Sequence, residues 1–198
     1  MLEYTFENTY RAQGYGIICG VDEAGRGPLA GNVVAAAVIM PEGLYIDGLN
    51  DSKKLSEKKR EALFAVIKEK CIFGIGEASP EEIDEHNILG ATMIAMRRAI
   101  EALPEKPSLA LIDGNRAAGF PLPTVTIVGG DAKSPSIAAA SILAKVTRDR
   151  ECTEMDRLYP EYGFAKHKGY PTAEHMARVR EIGPCPLHRK SFLSFLSK

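Results

Sequence analysis

The residue pattern predicts an α/β fold: a mixed five-stranded sheet flanked by helices, with a helical C-terminal extension. Three observations carry this. Apolar runs at 16–21 and 33–40 come first, separated by a short glycine-rich turn that suits an antiparallel pair. Shorter apolar runs then alternate with helical patterns, the arrangement that builds a sheet covered by helices. Finally, the 198 residues hold no internal repeat, low-complexity stretch or linker, and their number suits one well-buried domain, 1–198, with about 160–198 as the extension.

The elements follow in order. Residues 16–21 form the first strand, and 33–40, apolar and partly β-branched, form the second, closed by Pro41-Glu42-Gly43. A helix covers 55–70, because Ala62, Leu63, Val66 and Ile67 fall on one face and Ser56 is placed to cap it. Residues 71–77 read as a third strand. Ser79-Pro80-Glu81-Glu82 starts the next helix with a capping box and proline at its first position. Leu89, Met93, Met96, Ile100 and Leu103 continue it at helical spacing to Pro104, the methionines serving as core filler. Strands at 109–112 and 124–128 end in Asp113-Gly114-Asn115 and Gly129-Gly130-Asp131. Ser134-Pro135 opens a long helix, apolar nearly all round over 137–144 and densely charged over 147–156. A last helix spans 172–182 before Gly183, and Phe192, Leu193, Phe195 and Leu196 give the tail enough apolar surface to dock.

Composition excludes several classes. Apolar and charged residues make up 45% and 26% of the chain, ordinary for a soluble globular protein. Net charge is −1, but residues 131–198 carry 12 Lys/Arg against 8 Asp/Glu, a net +4 that leaves −5 on the first 130. The C-terminal third is therefore the better face for an anionic partner. Cys19, Cys71, Cys152 and Cys185 form no C-x-x-C pair, against a zinc ribbon, a redox motif or a disulfide scaffold. Residues 1–13 carry no apolar signal-peptide core, and no apolar run reaches the ~18 residues needed to span a membrane. The expectation is a cytoplasmic monomer with no membrane partner.

Acids stand immediately after apolar strands at three places: Asp22/Glu23, Asp113 and Asp131. Each alone could be a turn residue, and Asp131 could instead cap the following helix. Together, at strand ends where α/β sheets gather their ligands, they form a constellation. Buried carboxylates so close are costly unless a cation sits among them, and oxygen-only ligands point to Mg²⁺ or Mn²⁺. Four acids around two such ions suit phosphoryl transfer. Neighbouring strand residues face opposite ways, so a bend at Glu23, allowed by Gly25 and Gly27, is expected to bring its side chain back to Asp22. The turn lacks the Lys-Ser/Thr of a P-loop, and its open backbone suits close approach of a sugar-phosphate.

Five stretches carry a resemblance: Asp22-Glu23-Ala24-Gly25-Arg26-Gly27-Pro28-Leu29-Ala30-Gly31, 49–56 (Leu-Asn-Asp-Ser-Lys-Lys-Leu-Ser), 111–115 (Leu-Ile-Asp-Gly-Asn), 138–150 (Ala-Ala-Ala-Ser-Ile-Leu-Ala-Lys-Val-Thr-Arg-Asp-Arg) and 167–172 (His-Lys-Gly-Tyr-Pro-Thr). In this order they resemble the ribonuclease HII family, over nearly the whole chain and without departure at the acids. The resemblance implies a ribonuclease H-like fold and Asp22, Glu23, Asp113 and Asp131 as catalytic ligands of two Mg²⁺ or Mn²⁺ ions. It implies hydrolysis of the RNA strand of RNA–DNA hybrids, and nicking on the 5′ side of ribonucleotides in duplex DNA, leaving 3′-hydroxyl and 5′-phosphate ends. It also implies that Gly25, Arg26, Gly27 and Tyr170 read the ribose 2′-hydroxyl, the group that tells RNA from DNA. The related ribonuclease HIII carries an additional N-terminal domain, disfavoured here because about fifteen residues precede the first strand.

Lys53, Lys54, Lys145, Arg148, Lys166 and Lys168 are candidates for phosphate contacts that position a duplex, with Lys53, Lys145, Arg148 and Lys168 preferred. His86, His167, His175 and His188 have no spacing that would build a metal site; His167 reads as solvent-exposed, with help at the substrate as the alternative. Two other classes compete. A non-catalytic nucleic-acid-binding module would have no use for four acids that repel phosphate, and a small-molecule phosphohydrolase fits poorly with the basic C-terminal third.

Overall fold

The computed structural model describes residues 2–197. Its centre is a five-stranded mixed sheet in the order β3-β2-β1-β4-β5. The strands are β1 (Ile18–Ala24), β2 (Val33–Ile39), β3 (Ile72–Ala78), β4 (Leu109–Asp113) and β5 (Thr124–Ile127). The expected antiparallel pair forms, with Asp22 opposite Ala36, and β3 adds antiparallel to β2. β4 and β5 add parallel on the other side, Val21 lying beside Ile112. β1 is thus central, and its C-terminal end is flanked by that of β4.

Helices cover both faces. On one, α3 (Pro80–Glu101) packs on β3 and β2 over a core that includes Val21, Met96 and Ile112. On the other, α2 (Glu57–Lys70) and α4 (Pro135–Leu158) enclose Ala36, Val38, Leu63, Ile67 and Leu143. The first half of α4 is buried all round, as its composition requires. It lies close to the sheet because β1 has Gly20 at the crossing, where an added Cβ would run into the backbone of Ser136 and Ile137. The capping signals operate as expected: Ser56 caps α2, Ser79 and Glu82 form a reciprocal box on α3, and Ser134, rather than Asp131, caps α4.

The remaining differences are local. Glu23 stays in the ladder opposite Ala35 and β1 runs on to Ala24, so the chain turns at Gly25 (φ +91°) and not at Glu23. The β2 partner extends the pairing that far, and only glycine readily adopts the dihedral that ends it. The helix begun at Ser79 breaks at Asn87 (φ 58°), whose Oδ1 accepts from the amides of Leu89 and Gly90 and restarts it. An unexpected N-terminal helix, α1 (Thr5–Ala12), buries Glu7 against the start of α4. There Glu7 accepts from the hydroxyls of Ser134 (2.6 Å) and Ser136 (2.7 Å), an anion at a helix N-terminus.

After α4 the chain forms the short α5 (Phe164–His167), then α6 (Ala173–Ile182) and a tail of 3₁₀ turns. This extension docks through Tyr162, Phe164, Val179 and Leu193 onto Ala30 and Met155. Among the described residues no helix is long and apolar enough to cross a membrane, and all four cysteines are free. Gly20→Ala should force α4 off the sheet and cost about 1–3 kcal/mol. A thermal melt of this variant should show Tm several degrees lower, and an unchanged Tm would refute the close crossing.

Candidate active site

The acids at the sheet end come from β1, the last residue of β4 and the short turn after β5, which the strand order brings together. Val21 and Ile112 are neighbours in parallel strands, so one residue further on Asp22 and Asp113 emerge side by side. Even-numbered β1 residues face α4, and Asp22, 5% exposed, is buried there beside Ser141. Glu23 turns to the opposite face, as strand alternation requires, and both carboxylates line one cleft of about 610 Å³ at the sheet end. Asp113 and Asp131 stand at the adjoining ends of β4 and the loop after β5. Asp113 Oδ1 accepts from the amide of Gly130 at 2.6 Å, which ties Asp131 to the group.

The electrostatics record the crowding. Burial first, then the charges of Glu23 and Asp113, hold the Asp22 carboxyl well above its ordinary range. Glu23 is raised by burial against the lowering effect of Arg26, which it meets at 3.3 Å. Asp131 is raised by burial, then by Asp113 and Asp51. Lys53 responds inversely: burial would depress its pKa, but Asp22, Asp131, Asp51 and Asp113 outweigh burial and raise it. Among the described residues no three His, Cys, Asp or Glu side chains stand close enough to cage an ion as they are oriented. One reason is visible: Asp22 Oδ1 accepts from the Glu23 amide (2.7 Å), and Arg26 holds Glu23 Oε1.

The glycine turn and the extension form the other wall. Tyr170 is 46% exposed and lies over Gly27, where an added Cβ would stand 3.2 Å from its ring. Lys53, Lys145 and Lys168 line the cleft, Lys145 held at 2.6 Å by Asp149. Arg148 is positioned differently from a surface phosphate contact. It is 2% exposed, and its guanidinium donates to the Ala30 carbonyl at 2.7 Å, behind the turn. Lys54 and Lys166 pair with Asp51 and Glu174. A larger cleft of about 850 Å³, lined by Asn32, Glu77 and Glu151, lies apart from these acids. There burial and Glu77 push Glu151 up to about 8.

The family model described as Ribonuclease HII matches residues 19–195. The chain belongs to the ribonuclease HII family. Ribonuclease HII of Vibrio parahaemolyticus serotype O3:K6 is 58% identical over 181 residues, 91% of this chain and 86% of that protein. That of Idiomarina loihiensis is 58% identical over 177 residues, 89% and 95%. Among solved structures, ribonuclease H2 from Pyrococcus horikoshii OT3 superposes with TM-score 0.74 at 27% identity, covering 92% of this chain and all of that one. The RNase HII of Archaeoglobus fulgidus, solved in a complex with PCNA, gives TM-score 0.72 at 26% identity, covering 89% and 94%. Membership makes this ribonuclease HII relative a hydrolase of the ribonuclease H type, with endonuclease activity, on a ribonuclease H-like fold.

Several contributors escaped the sequence reading. Ser52 and Ser141 share a buried hydrogen bond of 2.7 Å that fastens the 49–56 loop to α4 beside Asp22. Asp51, flagged only as part of a motif, caps that loop through the Lys53 amide and faces Asp131. The histidines differ most. His167 is buried rather than exposed, and it stacks on His175 with centroids 4.2 Å apart. His175 Nε2 meets His188 Nε2 at 3.0 Å, and His175 Nδ1 meets the Tyr170 carbonyl at 2.9 Å. His188 Nδ1 accepts from the Cys185 amide at 3.0 Å. One set of tautomers satisfies these three contacts with neutral rings: His188 donates to His175, which donates to Tyr170, leaving the 3.3 Å approach of His188 Nδ1 to the Cys185 carbonyl without a shared proton. Their spacing in sequence gave no signal, because three separate segments of the extension supply them.

Burial, followed by the neighbouring His175, pushes His188 down to about 4, and burial also lowers His175. In the unfolded chain His188 takes up its proton near pH 6.5, so acidification below that value favours unfolding until the folded pKa is reached. The stability advantage of wild type over His188→Asn should therefore shrink by up to about 1.4 kcal/mol per pH unit between pH 6.5 and 4. Urea unfolding of both chains across that range checks it. A constant difference would mean that His188 is not held neutral.

Proposed function

We propose that this chain is a metal-dependent endoribonuclease that hydrolyses the RNA strand of RNA–DNA hybrids and nicks duplex DNA 5′ to an embedded ribonucleotide. The observation that carries the proposal is the side-by-side emergence of Asp22 and Asp113 from parallel strands, with Glu23 and Asp131 alongside, beneath an open glycine turn and an exposed tyrosine. The donor set fits hard divalent cations: its ligands are all carboxylate oxygens, and the pKa values of Asp22, Glu23 and Asp131 are raised, first by burial and for all three also by the neighbouring Asp113, despite Arg26 beside Glu23 and Lys53 near Glu23 and Asp131. Asp22, Glu23, Asp113 and Asp131 would hold two ions, Mg²⁺ or Mn²⁺. When bound, these supply Lewis-acid charge stabilisation and an acidified water. A solved relative, Bst-RNase HIII, is described in complex with Mn²⁺.

The remaining residues bind and orient. Lys53, Lys145 and Lys168 neutralise phosphates along the cleft without reading sequence. The amides of Gly25 and Gly27, together with Arg26, receive the 2′-hydroxyl, and the Tyr170 ring packs on the same sugar. A duplex lacking that hydroxyl leaves these polar groups unpaired, which is a penalty as well as a lost contact. Arg148 acts from behind the turn, as a positioning residue. The segment from about 160 onward contributes to substrate contact through Lys168 and Tyr170. In the reaction a water oxygen bonds to phosphorus and the P–O3′ bond breaks, giving a 3′-hydroxyl and a 5′-phosphate.

The test incubates the chain with a duplex carrying one ribonucleotide, with a full RNA–DNA hybrid, and with all-DNA duplex, each with Mg²⁺, Mn²⁺ or chelator. Expected is metal-dependent cleavage of the first two only; no cleavage with either ion would refute the proposal. Asp22→Asn should lower turnover by about 10²-fold or more while duplex affinity stays within about twofold, on the scale of a lost charge-stabilising group. Retained turnover would remove Asp22 from the mechanism. Tyr170→Ala, at an exposed position, should cost less than ~1 kcal/mol of stability yet reduce cleavage at single ribonucleotides at least about tenfold. A collapsed Tm with normal cleavage would make Tyr170 a packing residue.

A further inference from the structure

We infer that Arg189, in the C-terminal tail, is the positioning residue that shapes the glycine turn for ribose recognition; this rests on the proposed reading of that turn. Arg189 is wholly buried (0% exposed), and its guanidinium lies beneath the turn as a template. Nε donates to the Gly31 carbonyl (2.9 Å), Nη1 to those of Arg26 (3.0 Å) and Pro28 (2.7 Å), and Nη2 to those of Gly25 (2.6 Å), Gly31 (2.7 Å) and Asn32 (3.2 Å). Five carbonyls of one eight-residue turn, 25–32, are thus gathered on one planar cation. Arg148 adds the Ala30 carbonyl from the α4 side.

Two features separate this from ordinary packing. Among the described residues no carboxylate forms an ion pair with Arg189, so its hydrogen-bond donors all go to carbonyls, with the Phe192 ring 5.3 Å from the guanidinium as a further partner. A buried cation is retained in that setting only when its full set of donors is satisfied, which makes the turn's conformation and the guanidinium's burial mutually dependent. Second, the arrangement has a direction. With the carbonyls turned down onto Arg189, the amides of Arg26 and Gly27 donate to no acceptor among the described residues, while Gly27 lies against the Tyr170 ring on the same wall of the cleft. The turn presents donors on one side because its acceptors are consumed on the other. A 2′-hydroxyl oxygen needs such donors, and a glycine turn left to itself would sample many other conformations.

Arg189 is in turn fixed by its own segment. Its amide donates to the Leu29 carbonyl (2.8 Å), and the next two amides, of Lys190 and Ser191, donate to Asp84 of α3 (2.9 and 2.8 Å). The tail therefore spans from α3 to the turn and carries the template between them. Lysine could keep the charge but not the planar fork that reaches five carbonyls.

The test measures affinity of the full chain for a duplex with one ribonucleotide and for the identical all-DNA duplex, in chelator, and takes the ratio. Wild type, Arg189→Met, Arg189→Lys and Leu193→Ala are compared at a temperature where each is folded by circular dichroism. Leu193→Ala loosens the same tail, which packs on Ala30 of the turn, but removes no hydrogen bond to the turn. Expected is a fall in the ratio of about tenfold or to unity in Arg189→Met, with all-DNA affinity within about twofold, an intermediate ratio in Arg189→Lys, and a wild-type ratio in Leu193→Ala. If Arg189→Met does not fold, Arg189→Lys carries the comparison. A wild-type ratio in the Arg189 variant tested, or an equal fall in Leu193→Ala, would overturn the role of Arg189 alone. A wild-type chain with no preference would overturn the reading of the turn itself.

Discussion

Like charge concentrated at one sheet end constrains the rest of this molecule. Asp22 and Asp113 emerge adjacent because β1 and β4 are parallel neighbours, and Glu23 and Asp131 crowd the same corner. Desolvation and mutual repulsion both oppose their ionised forms, so the folded chain without a cation stores unfavourable electrostatic energy there. Backbone amides, Ser141, Arg26 and Lys53 offset part of it. In the proposed function divalent cations relieve this crowding, since the same oxygens that repel one another are the ligands that hard cations require.

The architecture around that corner works to keep it in place. Close packing of α4 on β1 at Gly20 brings Ser141 behind Asp22, and the Ser52–Ser141 bond brings Lys53 to the rim. The opposite wall is built late in the chain. There the extension is stitched to the turn by Leu29 to Gly169 (2.7 Å) and Gly31 to Leu187 (2.8 Å), and a chain of neutral histidines ends on the carbonyl of Tyr170. The acids thus come from β1, β4 and the turn after β5, and the lysines of the cleft from the 49–56 loop, α4 and the extension. A chain of net charge −1 in this way gathers Arg26, Lys53, Lys145 and Lys168 along one cleft.

Much of this was legible in the residues. Strand content, the antiparallel first pair, the capped helices at Ser56 and Ser79 and the acid at each strand end follow from local pattern, where period and turn chemistry act over a few residues. The five motif stretches added the family. What escaped was set by tertiary contact: α1 is specified by Glu7 meeting two serines far along the chain, and the break at Asn87 by one side chain recapping a helix. Arg148 looked like a surface cation on a charged helix, because nothing local reveals that its guanidinium folds under Ala30. Arg189 and the three histidines were invisible for the same reason. Their partners lie on other segments, and no spacing rule links them.

The most direct test is a thermal melt of the full chain across a Mn²⁺ titration, wild type beside Asp22→Asn. If crowded carboxylates are relieved by bound cations, the wild-type Tm starts low in chelator and climbs with Mn²⁺, since an ion that binds only the folded state stabilises it by mass action. Asp22→Asn, with one charge fewer in the corner, should start higher and climb less. An Mn²⁺ response in Asp22→Asn equal to that of wild type would contradict the assignment of this corner as the cation site.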